Sequence, residues 1–300
     1  MRRSNDTIPF ETKQQQVDRL GDHRMIAPLA RGGTAAVYLA EHGVTGERCA
    51  IKLLDSYHAN HKDIVDRMMA ERDVSASVHH AGLLDVQERG NANGLPFLIM
   101  ELLDGENLGE LADRGPIQLD AVLAIGAQIA SALHALQGAG WIHCDIKADN
   151  VFVLYQTTLS GWPCVKVIDY GVARHITHPE TDTTIAGTPA YMAPEQWRGA
   201  PVFASDVYAL GCLLYELVTG QHPFHGTLPQ LMLAHCQQLA VRPSQLRSEV
   251  PVELEHLIMR CMAKEPGMRP SMKDIELELV STLRDRLAVA DDNAPTALAV

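Results

Sequence analysis

Short apolar runs broken by turn residues occupy the first third of the chain, and long helical periods occupy the rest. Residues 23–54, HRMIAPLARGGTAAVYLAEHGVTGERCAIKLL, read as strands separated by turns. VYLAEH and CAIKLL are β-prone, and GVTGE between them is a hairpin signal. From Lys62 to about Val78, the apolar positions Ile64, Val65, Met68, Met69 and Val74 fall near helical spacing and predict one helix. LPFLIMELL, 95–103, is a continuous apolar run of strand length, and DGENL after it is a turn. Helical patterns follow. Residues 119–140 predict a long buried helix ending in Gly, and 205–220 another, with Ser205 as N-cap and Gly220 past its end. Further helices are predicted over 252–263 and 271–287. Residues 1–20 read as a polar lead-in and 288–300 as a tail or linker, leaving a β-rich part over 21–103 and a helical part over 104–287. The class is α+β.

Composition narrows the choice of function. With 300 residues, 46% of them apolar, the chain is large enough for two packed lobes. A net charge of −12 repels phosphate backbones and argues against non-specific nucleic-acid binding. Six scattered cysteines, Cys49, Cys144, Cys164, Cys212, Cys236 and Cys261, form no CxxC pair and read as reduced thiols of a cytoplasmic protein. No apolar run approaches the roughly 18–20 residues that span a bilayer. The start, MRRSNDTIPFETKQQQ, has no apolar core of a secretory signal.

Three features in fixed order carry the chemistry. ARGGTAAVYLA places a Gly- and Ala-rich turn between two strands, where backbone N–H groups can approach phosphate oxygens; an ordinary hairpin has the same look. Lys52 lies inside the apolar strand CAIK and needs a partner if it points inward. Glu71 on the next helix is available; the alternative is a lysine snorkelling to the surface. Residues 139–153, AGWIHCDIKADNVFV, then set His143, Asp145, Lys147 and Asn150 between apolar runs, and VKVIDYGVAR, 165–174, follows. Asp145 suits acceptance or orientation of a hydroxyl proton, Asn150 and Asp169 offer the hard oxygens that Mg²⁺ prefers, and Lys147 can offset charge on a phosphoryl group.

In this combination the chain resembles the eukaryotic-type Ser/Thr protein kinases, also common in bacteria, over roughly residues 23–285. The resemblance implies a bilobal protein-kinase-like fold, with an antiparallel sheet and one helix in the N-lobe and a mainly helical C-lobe. It implies transfer of the γ-phosphoryl of ATP, with Mg²⁺ or Mn²⁺, to a protein Ser/Thr hydroxyl. By the same resemblance, Ala30–Val37 is the Gly-rich loop, with Gly32 at its middle glycine and Val37 over the adenine, where Ala50 also lies. Lys52 meets the α/β-phosphates and Glu71, 19 residues on, is its helix partner. Met100 is the gatekeeper, Glu101 to Leu103 the adenine-binding hinge, and Asn107 a ribose contact. Asp145 is the catalytic aspartate, and Asn150 and Asp169 are the metal ligands. AGTPAYMAPE, 186–195, matches the end of the activation segment, and Thr188 with Lys147 is the Ser/Thr pattern. Glu195 and Arg269 match a structural ion pair, and Asp206 an anchor of the catalytic loop. Thr181, Thr183 and Thr184 stand where autophosphorylation occurs.

The chain departs from that pattern at four places. Ala30 and Ala35 replace two loop glycines, each adding a methyl near phosphate and restricting positive φ. Tyr170 replaces Phe of D-F-G, so its hydroxyl needs a partner. The segment 155–164 lengthens the gap between Asn150 and Asp169 and reads as an extended hairpin. Cys144 stands where Arg normally precedes the catalytic Asp and pairs with an activation-segment phosphate, so activity is expected to depend little on that phosphorylation. Two rival readings remain. A pseudokinase scaffold is favoured by the altered loop but has no need of the full charged set. A small-molecule phosphotransferase shares H-x-D-x-x-x-x-N but lacks G-T-P-x-Y-x-A-P-E.

Overall fold

Alternating side chains divide the N-terminal sheet into two faces, and the division puts Lys52 indoors. The computed structural model describes residues 18–177 and 185–292. Strands β1 (Arg19–Leu20), β2 (His23–Arg31), β3 (Ala35–His42), β4 (Arg48–Leu54), β5 (Val86–Ala92) and β6 (Leu95–Met100) form an antiparallel sheet in the order β1-β2-β3-β4-β6-β5. Along β4, Cys49, Ile51 and Leu53 pack outward with Leu20, Ala40 and Ile99, while Ala50 and Leu54 face the main core with Leu98 and Met100. Lys52 shares the inner side, as the period of two requires. Helix α1 (Lys62–Ser77) sits between β4 and β5 in sequence and buries Met68, Glu71, Val74 and Ser75.

The rest is mostly helical. Strand β7 (Gly105–Asn107) leads into α2 (Leu108–Ala112), then α3 (Leu119–Gly138) and β8 (Trp141–Ile142). Strands β9 (Val151–Thr157) and β10 (Pro163–Val167) form the expected hairpin and pair on with β7, while β11 (Arg174–His175) pairs with β8. Helices α4 (Phe203–Thr219), α5 (Leu228–Gln237), α6 (Pro243–Leu246), α7 (Val252–Cys261) and α8 (Met272–Asp292) complete the lobe. The fold is thus bilobal, a sheet with one helix followed by a helical lobe. The helix α3 is long and apolar enough to cross a membrane by length and composition, contrary to the reading of the sequence, yet 67% of its apolar window is buried inside the protein. It packs against α4, α8 and β10 as a core helix.

Local details differ from expectation for physical reasons. Strand β6 stops at Met100, after which Leu102 and Leu103 pack on the core; the turn expected over DGENL is instead strand β7, paired with β9, running into α2. The N-cap of α4 is Val202; Ser205 sits three residues inside, its Oγ accepting from the Val202 N–H at 3.0 Å and donating to Glu195 at 2.6 Å. Gly220 does end α4, at φ +75°. Helix α8 runs on through Asp292, since residues 288–292 hold no Gly or Pro to stop it. Two residues of the expected lead-in, Arg19 and Leu20, pair with β2 instead.

Candidate active site

Strand register aligns the first group of candidates. Ala30 pairs with Val37, Val37 with Lys52 and Lys52 with Leu98, one row across four strands. Ala50 pairs with Met100 beside it. The turn of the loop closes through the Gly32 N–H, which donates to the Ala35 carbonyl at 2.9 Å. Ala30 and Ala35 both lie in strands, and neither has positive φ. The expected backbone penalty for losing two glycines is therefore absent.

Lys52 is held by two carboxylates. Its Nζ donates to Glu71 Oε1 at 2.7 Å and to Asp169 Oδ1 at 3.1 Å. Burial works against its charge, but Glu71 and then Asp169 win and keep it above the ordinary lysine value. Glu71 is 2% exposed. Burial pushes its carboxyl up to about 7 against the pull of Lys52. Asp169 stands at φ +66°, a left-handed conformation that a non-glycine residue holds only when its surroundings fix it. Burial opposes its charge too, yet Lys52 chiefly, helped by the Gly171 N–H, holds its carboxyl below the usual range.

A second group hangs from α4. Asp206, 1% exposed, accepts from the N–H groups of His143 at 2.8 Å and Cys144 at 2.9 Å, which fixes the loop after β8. Gln196 donates to the Cys144 carbonyl at 2.8 Å, and Cys144 itself stands at φ +68°. Asp145 then projects into a ring of partners. Its Oδ1 accepts from Thr188 Oγ1 at 2.7 Å and its Oδ2 from Asn150 Nδ2 at 3.0 Å. Lys147 Nζ lies 3.4 Å from Oδ2 and donates to Thr188 Oγ1 at 3.0 Å. The Ile168 N–H donates to the Asn150 carbonyl at 2.9 Å, joining this group to the segment after β10 that carries Asp169. Burial first, then Asp206 and Asp145, push the Cys144 thiol well above its ordinary value, so it stays neutral.

The hinge candidates sit at the lobe junction. The Glu101 carboxylate accepts from Lys166 Nζ and from the Asp85 N–H, each at 2.7 Å. Leu103 packs on the core. Asn107 caps α2, its Oδ1 accepting from the Gly109 N–H at 2.7 Å, and its amide also donates to the Asp149 carbonyl. Both ends of that side chain are thus engaged by the protein. Glu195 and Arg269 form a buried bidentate pair at 2.6 and 3.0 Å. Sequence reasoning missed Gln196, Lys166 and the Leu84 carbonyl that receives the Tyr170 hydroxyl at 3.1 Å. Only Tyr170 announced a need for a partner. Thr181, Thr183 and Thr184 lie outside the described residues.

Comparison with known proteins shows the family. A sequence model of the family described as protein kinase domain matches residues 24–278. The chain is similar to the serine/threonine-protein kinase Pkn1 of Myxococcus xanthus, 36% identical over 258 residues, or 84% of this chain and 36% of that protein. It is similar to the serine/threonine-protein kinase PkaA of Streptomyces coelicolor, 38% identical over 263 residues, covering 83% of this chain and 47% of that one. To the serine/threonine-protein kinase PknD of Mycobacterium tuberculosis it is 33% identical over 272 residues, covering 88% and 39%. The chain therefore spans less than half the length of these curated relatives.

Proposed function

The chain belongs to the protein kinase domain family, and from that premise we propose that it transfers the γ-phosphoryl of ATP to Ser or Thr hydroxyls of a protein. The observation that carries the proposal is the pairing of two groups: Lys52 between Glu71 and Asp169, and Asp145 amid Thr188, Lys147 and Asn150. Lys52, kept charged, grips the α/β-phosphates, while Glu71 fixes its direction. Ala30, Gly32, Val37 and Ala50 close over the adenine, and Glu101 and Leu103 offer backbone groups to it. Asn107 reaches the ribose by sharing atoms already bonded to Gly109 and Asp149. Asp145 orients the acceptor hydroxyl and takes up its proton. Lys147, 3.4 Å from Asp145, offsets charge on the phosphoryl oxygens as it moves.

The donor set suits Mg²⁺, with Mn²⁺ able to replace it. Asn150 spends Nδ2 on Asp145, which leaves its Oδ1 for a cation, and Asp169 is held as a carboxylate. A metal bound there supplies charge neutralisation of the phosphate oxygens. In the proposed assignment the lobes run over 21–103 and 104–287, and the chain works in the cytoplasm, where ATP is found and where its free thiols persist. The neutral Cys144 beside Asp145 gives no fixed positive charge for an activation-segment phosphate, which supports weak dependence on phosphorylation there. Labelled ATP, Mg²⁺ and a generic protein acceptor, with Asp145→Ala beside the wild type, test the reading. Label transfer by the wild type alone is expected. Equal, background-level transfer by both would leave a binding scaffold as the function.

A further inference from the structure

One carbonyl joins α1 to the residue after Asp169. Leu84 lies between α1 and β5, and its oxygen accepts from Tyr170 Oη at 3.1 Å and from Ser75 Oγ at 3.4 Å. Ser75 Oγ accepts in turn from the Val86 N–H at 2.8 Å. Tyr170 is 2% exposed and Ser75 3%, so neither hydroxyl has water as an alternative. The short segment carrying Leu84 is itself tied to β10: the Leu84 N–H donates to Val167 at 3.0 Å and the Val167 N–H to Gly82 at 2.8 Å.

Ser75 stands one helical turn beyond Glu71, on the same face of α1. Glu71 bonds Lys52, and Lys52 bonds Asp169. Asp169 is the neighbour of Tyr170, whose hydroxyl returns to α1 through Leu84 and Ser75. The contacts close into a ring that passes through the strained residue at φ +66°. Lys52 fixes the side chain of Asp169, and the other half of the ring fixes the backbone that follows it. A phenylalanine would fill the same volume but leave the Leu84 carbonyl with the longer Ser75 bond alone.

We propose that the Tyr170 hydroxyl is a positioning group, which holds Asp169 in its inward, left-handed conformation and couples it to α1. The proposal rests on the reading of Asp169 as a ligand of the nucleotide-bound metal. Two readouts test it on Tyr170→Phe, with Ser75→Ala as a second variant that leaves the ring of Tyr170 intact. The first is hydrogen exchange in nucleotide-free protein at Gly171 and Ala173, whose amides bond Asp169 Oδ1 and the Tyr170 carbonyl. Exchange is expected to quicken about three- to tenfold, the effect of one lost hydrogen bond. The second is calorimetric binding of Mg-ADP, expected to weaken by a similar factor in Tyr170→Phe and less in Ser75→Ala. A lowered melting temperature with unchanged exchange at both amides and unchanged Mg-ADP affinity would mean simple packing and overturn the proposal. So would tighter binding. A wild type that fails to bind Mg-ADP would count against the kinase reading, and the exchange result would still decide the role of Tyr170.

Discussion

Replacing Glu71 by Gln separates the stability of the ion pair from its use. The substitution keeps the volume and one acceptor oxygen at 2.7 Å from Lys52, and removes the charge. The Lys52 ammonium stays charged, so its bond to the amide oxygen remains in the charge-assisted class of about 1.5–3 kcal/mol, and the contact weakens by about 1 kcal/mol. Lys52 is not orphaned, because Asp169 remains at 3.1 Å. The full cost of stranding a buried charge, about 3–5 kcal/mol, therefore does not arise. Burial has already pushed the Glu71 carboxyl up to about 7, and the amide is free of that desolvation cost. Net stability should move by about 1 kcal/mol or less, a shift in Tm of about 2–4 °C.

Catalysis should respond far more. With its firmer partner neutral, the ammonium is drawn to Asp169 and away from the phosphates. A 30- to 100-fold fall in kcat/KM is expected, about 2–2.7 kcal/mol of transition-state stabilisation. The pH dependence has a definite sign. A carboxyl raised from 4.5 to about 7 keeps a proton that the unfolded chain has lost, so the wild type loses stability as pH climbs through that window. The variant should lack that slope. Steady-state kinetics and urea unfolding from pH 4.5 to 8 give both quantities. A kcat/KM within threefold of wild type, or a stability loss above about 3 kcal/mol, would refute the reasoning.

Other substitutions reach other parts of the molecule. Burial, then Lys264, pull the His235 imidazole down to about 4, so the unfolded chain binds the extra proton; stability should fall by about 3 kcal/mol as pH drops from 6.5 to 4, and His235→Gln should flatten that loss in urea titrations. Glu195→Gln strips the counter-charge from Arg269, whose side chain is 0% exposed, and should cost about 3–5 kcal/mol by the same measurement. Replacing Thr181, Thr183 and Thr184 together with Ala should lower turnover by less than 100-fold, about 2.7 kcal/mol; a larger loss would show that activity depends on that segment's phosphorylation despite Cys144.

What the sequence disclosed was what local order encodes. Lys52 and Glu71 were legible as partners because a charged residue in an apolar strand needs one, and the next helix offered it. Whether Lys52 points inward or snorkels outward stayed open in the sequence, and the packing of β4 decides it. The strand register that lines up Ala30, Val37, Lys52 and Leu98 has no local signature. Long-range contacts were hidden for the same reason. Nothing in VKVIDYG says that Lys166 reaches Glu101, 65 residues earlier, or that Tyr170 reaches Leu84, 86 residues earlier. Ser205 looked like the N-cap by residue type, but it stands at N3, where its hydroxyl accepts from the Val202 N–H while donating to Glu195. Helix α5 escaped notice although Thr227 and Gln230 bracket its start, since exposed Leu228, Met232 and Leu233 blur its apolar stripe. The doubt over Ala30 and Ala35 came from the same limit: residue type suggested a backbone need that the strands do not have.

Phosphosite mapping by mass spectrometry after incubation with Mg-ATP, wild type beside Asp145→Ala, tests the kinase assignment most directly. New phosphate on Ser and Thr of the chain or an added acceptor, in the wild type alone, is the expected result. Phosphate on neither protein under conditions where both remain folded, or equal phosphate on both, would contradict it.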